Sequence, residues 1–196
     1  MSFNHKITDL KFRINKLVPK NTCEYFINFY ENNSKYIEKE GSYKYQTKKV
    51  EQDNFECINL TKLYFNNPNI KEPLEVAKKY ISIMITNYVL YIQNNICSTF
   101  DDRLICNSDN IRILKYKEGQ LIKDHADVDG KIRASCTLNL NEEYEGGDFR
   151  FFNGQEKIKF KTGDAMLFPA EPIWIHGTDP ITKGTRYSIN CFLYHT

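Results

Sequence analysis

Two rhythms of apolar and polar positions divide the 196-residue chain. In the first half, Cys23, Phe26, Ile27 and Tyr30 follow Pro19 at helical spacing, so they share one stripe of a helix. Asn21, with Glu24 three residues on, offers a start of capping-box type. A longer helix is expected from near Pro73 to about Asn95, burying Ala77, Ile81, Met84, Tyr88 and Tyr91 or Ile92. Between the two helices, residues 31–72 mix polar clusters with short strand-like pieces such as FECINL.

From about Ile111 the period becomes two. The runs IRILKY, QLIKDHADV, RASCTLNL, DFRFF, KIKF, DAMLF, PIWIH and RYSINCFLY read as short strands. Between them lie KEG, DVDGK, EEYEGG, FNGQE, KTG and ITKGT, rich in turn formers. Short strands in succession with no helix between them predict an antiparallel sandwich or barrel. The expected class is therefore mainly β with supporting helices, an α+β fold in which the N-terminal helices pack on one sheet. No repeat or low-complexity linker separates the halves, so a single domain over 1–196 is expected. Within it, about 1–105 would form a helix-rich support and about 106–196 the β core.

Composition narrows the classes. Hydrophobic content of 41% and charged content of 27% are those of a globular protein able to bury a core. The net charge of +2 carries no dense Lys/Arg run, which argues against nucleic acid as an obligate partner. The opening MSFNHKITDLKFRINK has no apolar segment of signal-peptide type, and YISIMITNYVLYI is too short to span a bilayer. A cytoplasmic protein without a membrane partner is the expectation. Six dispersed cysteines with no C-x-x-C pair read as free thiols and do not suggest a structural zinc site.

The chemistry concentrates on two of the four histidines. His125 and Asp127 are separated by one residue, which on a strand puts both on one face. His176 follows PIWI about fifty residues later, and Arg186 opens the last strand-like run ten residues beyond it. Each residue alone reads as an ordinary surface or loop-edge group; the ordered set does not. Two imidazoles and one carboxylate make the facial triad of non-haem Fe(II) oxygenases, leaving open positions on the metal. Zinc favours a closed or four-ligand set and calcium favours more oxygens, so iron fits better. A 2-oxo acid can chelate such a metal, and its distant carboxylate then suits the planar fork of Arg186. Ser188 projects to the same face as Arg186 and can add a hydroxyl.

These pieces carry a resemblance. KYKEG before HAD, then TLNLN, EGGDFRFF, TGDAMLF, IHG and RYSINCFLY are similar to the 2-oxoglutarate and Fe(II)-dependent dioxygenases, within them to the prolyl 4-hydroxylase branch. LVPKNTCEYFINFYE also resembles the start of that branch's catalytic domain. The resemblance implies a double-stranded β-helix, or jelly roll, with His125, Asp127 and His176 as iron ligands and Arg186 as the 2-oxoglutarate anchor. It further implies that Tyr116 lines the co-substrate pocket and that Arg150 lies close to substrate. An arginine anchor resembles the oxygen-sensing and bacterial or protist type of prolyl hydroxylase, since the collagen-modifying type commonly has lysine. Three positions depart from the branch: Ile122 and Asn139 stand where tyrosines are usual, and Phe192 where tryptophan is frequent.

The resemblance implies hydroxylation of a protein or peptide side chain, prolyl in the first instance, with release of succinate and CO2. Fe(II), with 2-oxoglutarate and O2 as co-substrates and ascorbate as accessory reductant, would be the cofactor set, and a proline-containing protein or peptide the partner. Two rivals stand beside it. One is an oxygenase of the same superfamily acting on a small molecule or on nucleic acid; the repair branch would add a second Arg near the end, where this chain reads FLYHT. The other is a barrel that binds without turnover.

Overall fold

The last strand sets the frame of the molecule. Along Arg186–Tyr194, Tyr187, Ile189, Cys191 and Leu193 turn into one hydrophobic core. Arg186, Ser188, Asn190 and Phe192 turn the other way and line a cavity. Successive side chains of a strand point to opposite faces of its sheet. Here one face is apolar throughout and the other is mixed.

In this computed structural model, which describes residues 5–43 and 50–195, the elements in chain order are as follows. β1 (Phe12–Ile14) precedes α1 (Lys20–Asn32), β2 (Glu38–Tyr43) and β3 (Val50–Asn59). Then come α2 (Leu60–Asn66), α3 (Glu72–Asn95), β4 (Asn107–Tyr116) and β5 (Ile132–Asn139). The small strands β6 (Tyr144–Gly146), β7 (Phe149–Phe151) and β8 (Glu156–Ile158) follow, then β9 (Ala165–Pro169), β10 (His176–Thr178), β11 (Ile181–Gly184) and β12 (Arg186–Tyr194). Seven strands form one sheet in the order β1-β9-β5-β12-β4-β3-β2, and every pairing in it is antiparallel. Opposite it lie a three-stranded sheet, β10-β7-β8, and the pair β11-β6. The chain is mostly β with some helices, as the alternation predicted.

The helices cover one face of the large sheet. Phe26 and Tyr30 of α1 and Ala77, Ile81, Met84 and Ile92 of α3 share a core with Ile113, Leu138, Leu167 and Ile189 of the strands. α3 runs over the expected residues. α1 differs at its start: Pro19 is the N-cap, and the Asn21 side chain accepts from the Thr22 amide instead of closing a capping box with Glu24. Proline's fixed φ already prepares the first turn, so the box is not needed.

The N-terminal half is more than a helical support, because β1, β2 and β3 all join the large sheet. β1 is held there by Asp164, whose buried carboxylate accepts from Arg13 at 2.5 Å and from the Lys16 amide at 3.0 Å. Two of the expected turns are strands as well. EEYEGG contains β6 and ITKGT contains β11, which pair with each other across 35 or more residues of chain. Conversely, QLIKDHADV is not a strand; it makes one isolated bridge, at His125. Among the described residues, no helix is long and apolar enough to cross a membrane. All six cysteines are free, and Cys136 and Cys191 are buried.

Candidate metal centre

Between the large sheet and the small ones lies a cavity of about 260 Å³. Two strand systems bring its key residues together. On the large sheet, Arg186 pairs in register with Tyr116, Ser188 with Leu114 and Asn139, Asn190 with Arg112 and Thr137, and Phe192 with Ser135. On the other side, β10 carries His176 against β7. The loop after β4 carries His125 and Asp127. Its anchorage to β10 is a closed pair of backbone hydrogen bonds: His125 N–H donates to the His176 carbonyl at 2.9 Å, and His176 N–H donates back at 2.8 Å. That bridge aligns two residues 51 positions apart, and their rings lie 4.4 Å apart between centroids.

Three donor atoms converge there. Asp127 Oδ1 is 3.2 Å from His125 Nε2, and Asp127 Oδ2 is 3.3 Å from His176 Nε2. Among the described residues this is the cluster able to hold a metal, its ligand atoms lying within 4.8 Å of one another. Ligands about 2.1 Å from a metal at right angles would be about 3.0 Å apart, so the spacing suits adjacent coordination positions. Both imidazoles are oriented by their other nitrogen: His125 Nδ1 lies 2.9 Å from the Lys123 carbonyl and His176 Nδ1 2.9 Å from the Trp174 carbonyl. A carbonyl accepts only from N–H, so each bond places a proton on Nδ1 and leaves Nε2, which faces Asp127, as the nitrogen that a metal would take in place of a proton. The donor set therefore fits a divalent metal of the iron class.

The surroundings restrict the ligands further. The His176 ring stacks on Phe149, at 5.5 Å and 9°, and meets the edge of Phe168 at 4.8 Å. Trp174, Phe151 and Phe168 form the apolar bed beneath. Gly177 follows His176 at a place without room: a Cβ there would lie 2.6 Å from Asp124 Oδ1 and 2.7 Å from the Ile122 carbonyl. Ser135 donates to Asp127 Oδ2 at 2.5 Å. Burial opposes the Asp127 charge, but bonds from His125, His176 and Ser135 outweigh it and hold the carboxyl far below its ordinary range. Burial likewise opposes protonation of His125, yet Asp127 raises its pKa above the ordinary value.

Deeper in, Arg186 is 2% exposed. Its Nε donates to Asn139 Oδ1 at 3.2 Å, and its guanidinium carbon lies 5.3 Å over the Tyr116 ring. Tyr116 is fully enclosed; burial pushes its hydroxyl up to about 12, with Arg186 and a bond to Ser188 acting in the opposite direction. No spacing in the chain signals that Asn139, a departure from the prolyl hydroxylase pattern, steadies Arg186. Tyr144 comes within 3.4 Å of the same Asn139 oxygen. Ser135 was equally unforeseen, since one serine in a strand announces nothing about the acid eight residues before it.

Arg150 turns elsewhere. Its Nε donates to Asp124 at 2.8 Å, and its Nη1 donates to Asp179 at 3.0 Å and to the Thr178 carbonyl at 2.7 Å. These bonds clamp the loop before His125 to the end of β10. Ile122 and Phe192, two other departures, both line the cavity.

Two imidazoles and one carboxylate that could hold a metal ion thus share a cavity with a buried arginine. Comparison with known proteins is specific. Residues 111–194 match the model of the 2OG-Fe(II) oxygenase superfamily. A PKHD-type hydroxylase from Xylella fastidiosa (strain M12) is 36% identical over 67 residues, covering 32% of this chain and 28% of that one. Another from Methylobacterium nodulans is 32% identical over 90 residues, 38% of each chain. The chain thus spans well under half the length of these curated relatives. Among solved structures, a Pseudomonas putida prolyl-4-hydroxylase aligns with a TM-score of 0.65 at 15% identity, covering 96% of this chain and 97% of that one. A Trichoplax adhaerens prolyl hydroxylase, in complex with a peptide of the hypoxia inducible factor oxygen degradation domain, aligns at 0.67 with 14% identity, covering 95% and 84%. At such identities the structures speak for the fold alone. Residues 111–194 thus carry the sequence likeness to the 2OG-Fe(II) oxygenase superfamily, and these relatives and fold neighbours are hydroxylases of PKHD and prolyl type.

Proposed function

We propose that this protein is a 2-oxoglutarate- and Fe(II)-dependent dioxygenase, acting as one catalytic domain that hydroxylates a peptide or protein side chain, prolyl in the first instance. The observation that carries this reading is the convergence of His125, Asp127 and His176, with both Nδ1 atoms tied to backbone carbonyls, in a cavity that also holds Arg186 and Ser188. The two facing sheets are then the halves of a double-stranded β-helix.

In this reading His125, Asp127 and His176 hold the iron. The chemistry that iron supplies when bound is activation of O2, coupled to decarboxylation of 2-oxoglutarate to succinate and CO2 and to hydroxylation of the substrate. This chain's residues provide the rest. Arg186 receives the distal carboxylate through its planar fork, with its orientation fixed by Asn139 and the Tyr116 face. Ser188 adds a hydroxyl from the next inward-facing position, and Tyr116 closes the floor. Phe149, Phe168 and Phe151 keep water from the metal side, where a dry environment strengthens each charged contact. Arg150 serves the substrate side through Asp124, its partner on the cavity wall. Ascorbate enters as a reductant for iron, not as a group held by named residues.

Succinate formation by purified protein with Fe(II), O2 and 2-oxoglutarate tests the reading. Asp127→Ala should abolish it, and full retained turnover would overturn the assignment. Proline-rich peptides should gain one oxygen, about 16 mass units. Succinate without any such gain on peptides would leave the oxygenase and remove the prolyl substrate, in favour of a small molecule.

A further inference from the structure

The polar groups on the cavity side of the two central strands can be accounted for one by one. Ser135, Thr137 and Asn139 share that face of β5, and Ser188 and Asn190 share it on β12, where Ser188 pairs in register with Asn139 and Asn190 with Thr137. Ser135 donates to Asp127. Asn139 accepts from Arg186 and donates to the carbonyls of Asn141 and Lys161. Ser188 bonds Tyr116. Asn190 uses its oxygen: an arginine only donates, so the 3.2 Å bond from Arg112 Nε fixes the amide with Oδ1 toward Arg112 and leaves its NH2 uncommitted. Two groups remain. Among the described residues, neither the Thr137 hydroxyl nor the Asn190 NH2 has a hydrogen-bond partner, and these two residues stand opposite each other on adjacent strands and both line the cavity.

Thr137 is the more telling of the pair, because it is only 6% exposed. A buried hydroxyl without a partner is costly, and valine would fill the same shape without that cost. Its position states what it faces. Two residues before it, Ser135 bonds the metal-site carboxylate; two residues after it, Asn139 bonds Arg186. Thr137 and Asn190 therefore occupy the middle rung, about 6.7 Å along the strand from either neighbour. An amide NH2 can only donate, so what binds between the two must offer an oxygen acceptor. With the distal carboxylate of a 2-oxo dicarboxylic acid given to Arg186, the acceptor oxygens left are those of its 2-oxo acid end.

We infer that Thr137 and Asn190 form a paired hydrogen-bonding site for the carboxylate at the 2-oxo end of the co-substrate. The inference rests on the proposed co-substrate site and adds to it two binding residues at the end away from Arg186. Thr137 is then a residue kept for the ligand at a cost to the empty protein.

That cost gives a test with a readout independent of activity. Thr137→Val, made in the full chain, should melt at or above wild type when no ligand is present, since it removes an unpaired buried hydroxyl and keeps the shape. The same variant, loaded with Mn(II), should bind both 2-oxoglutarate and pyruvate about tenfold more weakly by calorimetry, as loss of a hydrogen bond to a charged acceptor predicts. Pyruvate lacks the distal carboxylate, so Arg186→Gln should weaken 2-oxoglutarate and leave pyruvate unchanged. Thr137→Ser should restore most of the affinity for both. Asn190→Ser, which keeps an oxygen for Arg112 but withdraws the amide, should weaken both ligands as well and serves if the valine variant does not fold. A folded Thr137→Val that melts lower and binds both ligands as wild type does would make the hydroxyl a structural group and overturn the inference. A loss confined to 2-oxoglutarate would overturn it too, by assigning the pair to the distal carboxylate. Wild-type protein that binds no 2-oxoglutarate overturns the underlying site, a result distinct from either.

Discussion

Ser135 offers the sharpest test of how the metal centre is built. Its hydroxyl donates to Asp127 Oδ2 at 2.5 Å, the same oxygen that lies 3.3 Å from His176 Nε2. Ser135→Ala removes one O–H from a carboxylate whose side chain is only 9% exposed, so water cannot freely replace it. Hydrogen bonds to a charged, buried acceptor are worth about 1.5–3 kcal/mol, and loss of an outer-sphere partner typically lowers metal affinity about 10–100-fold. The substitution is small, since Ser135 is 5% exposed and alanine fits the same space, so the fold should persist. Anaerobic Fe(II) titration, followed by calorimetry or by Mn(II) spectroscopy, reads the affinity directly. A drop of one to two orders of magnitude is expected, in a variant that melts somewhat lower but still unfolds cooperatively. Wild-type affinity in a folded Ser135→Ala variant would refute the idea that this hydroxyl sets the carboxylate's orientation.

Other consequences are simpler to state. Arg186→Lys keeps the positive charge but loses the fork and its bond to Asn139, so 2-oxoglutarate should bind about 10–100-fold more weakly; calorimetry with the metal-loaded protein checks it. Gly177→Ala places a methyl within 2.7 Å of Asp124 and of the Ile122 carbonyl, which should destabilise the protein by about 1–3 kcal/mol and loosen metal binding, measured by denaturant unfolding and metal titration. Glu31, bonded by Lys115 at 2.6 Å and by the Tyr187 hydroxyl at 2.5 Å, has a pKa that burial raises but that these two bonds bring below 4.5. A depressed folded-state value stabilises above the unfolded value and loses that effect as pH falls through the folded one. Wild type should therefore melt higher than Glu31→Gln at neutral pH, with the difference vanishing in acid; a pH-independent gap would contradict this.

Much of the molecule was legible from residues alone, for reasons that differ by element. α3 and β12 were visible because their period is long and local: twenty-four residues of helix and nine of alternating strand leave little ambiguity. His125, Asp127, His176 and Arg186 were legible because their chemistry is rare in combination, not because of local structure. The strand invoked to put His125 and Asp127 on one face does not exist; a two-bond bridge to β10 does that work instead. β6 and β11 escaped because each is too short to signal itself and exists through its distant partner. Of the early strands, β3 was legible in part, since the strand-like FECINL overlaps its end, whereas β1 and β2 carried no such signal. The bonding partners Ser135, Asn139 and Asp124 were invisible for the same reason: no spacing rule links them to the residues they hold.

The reciprocal bond between His125 and His176 joins a loop to a three-residue strand, and both would be poor at holding themselves in place. A metal ion gripped by the same two side chains crosslinks chain positions 51 residues apart. Loading the centre should therefore tighten the whole clasp between the small sheet and the loop, slowing amide exchange at His125 and His176 far more than in the helices. Under the proposed reading the metal centre would double as a rivet of the architecture.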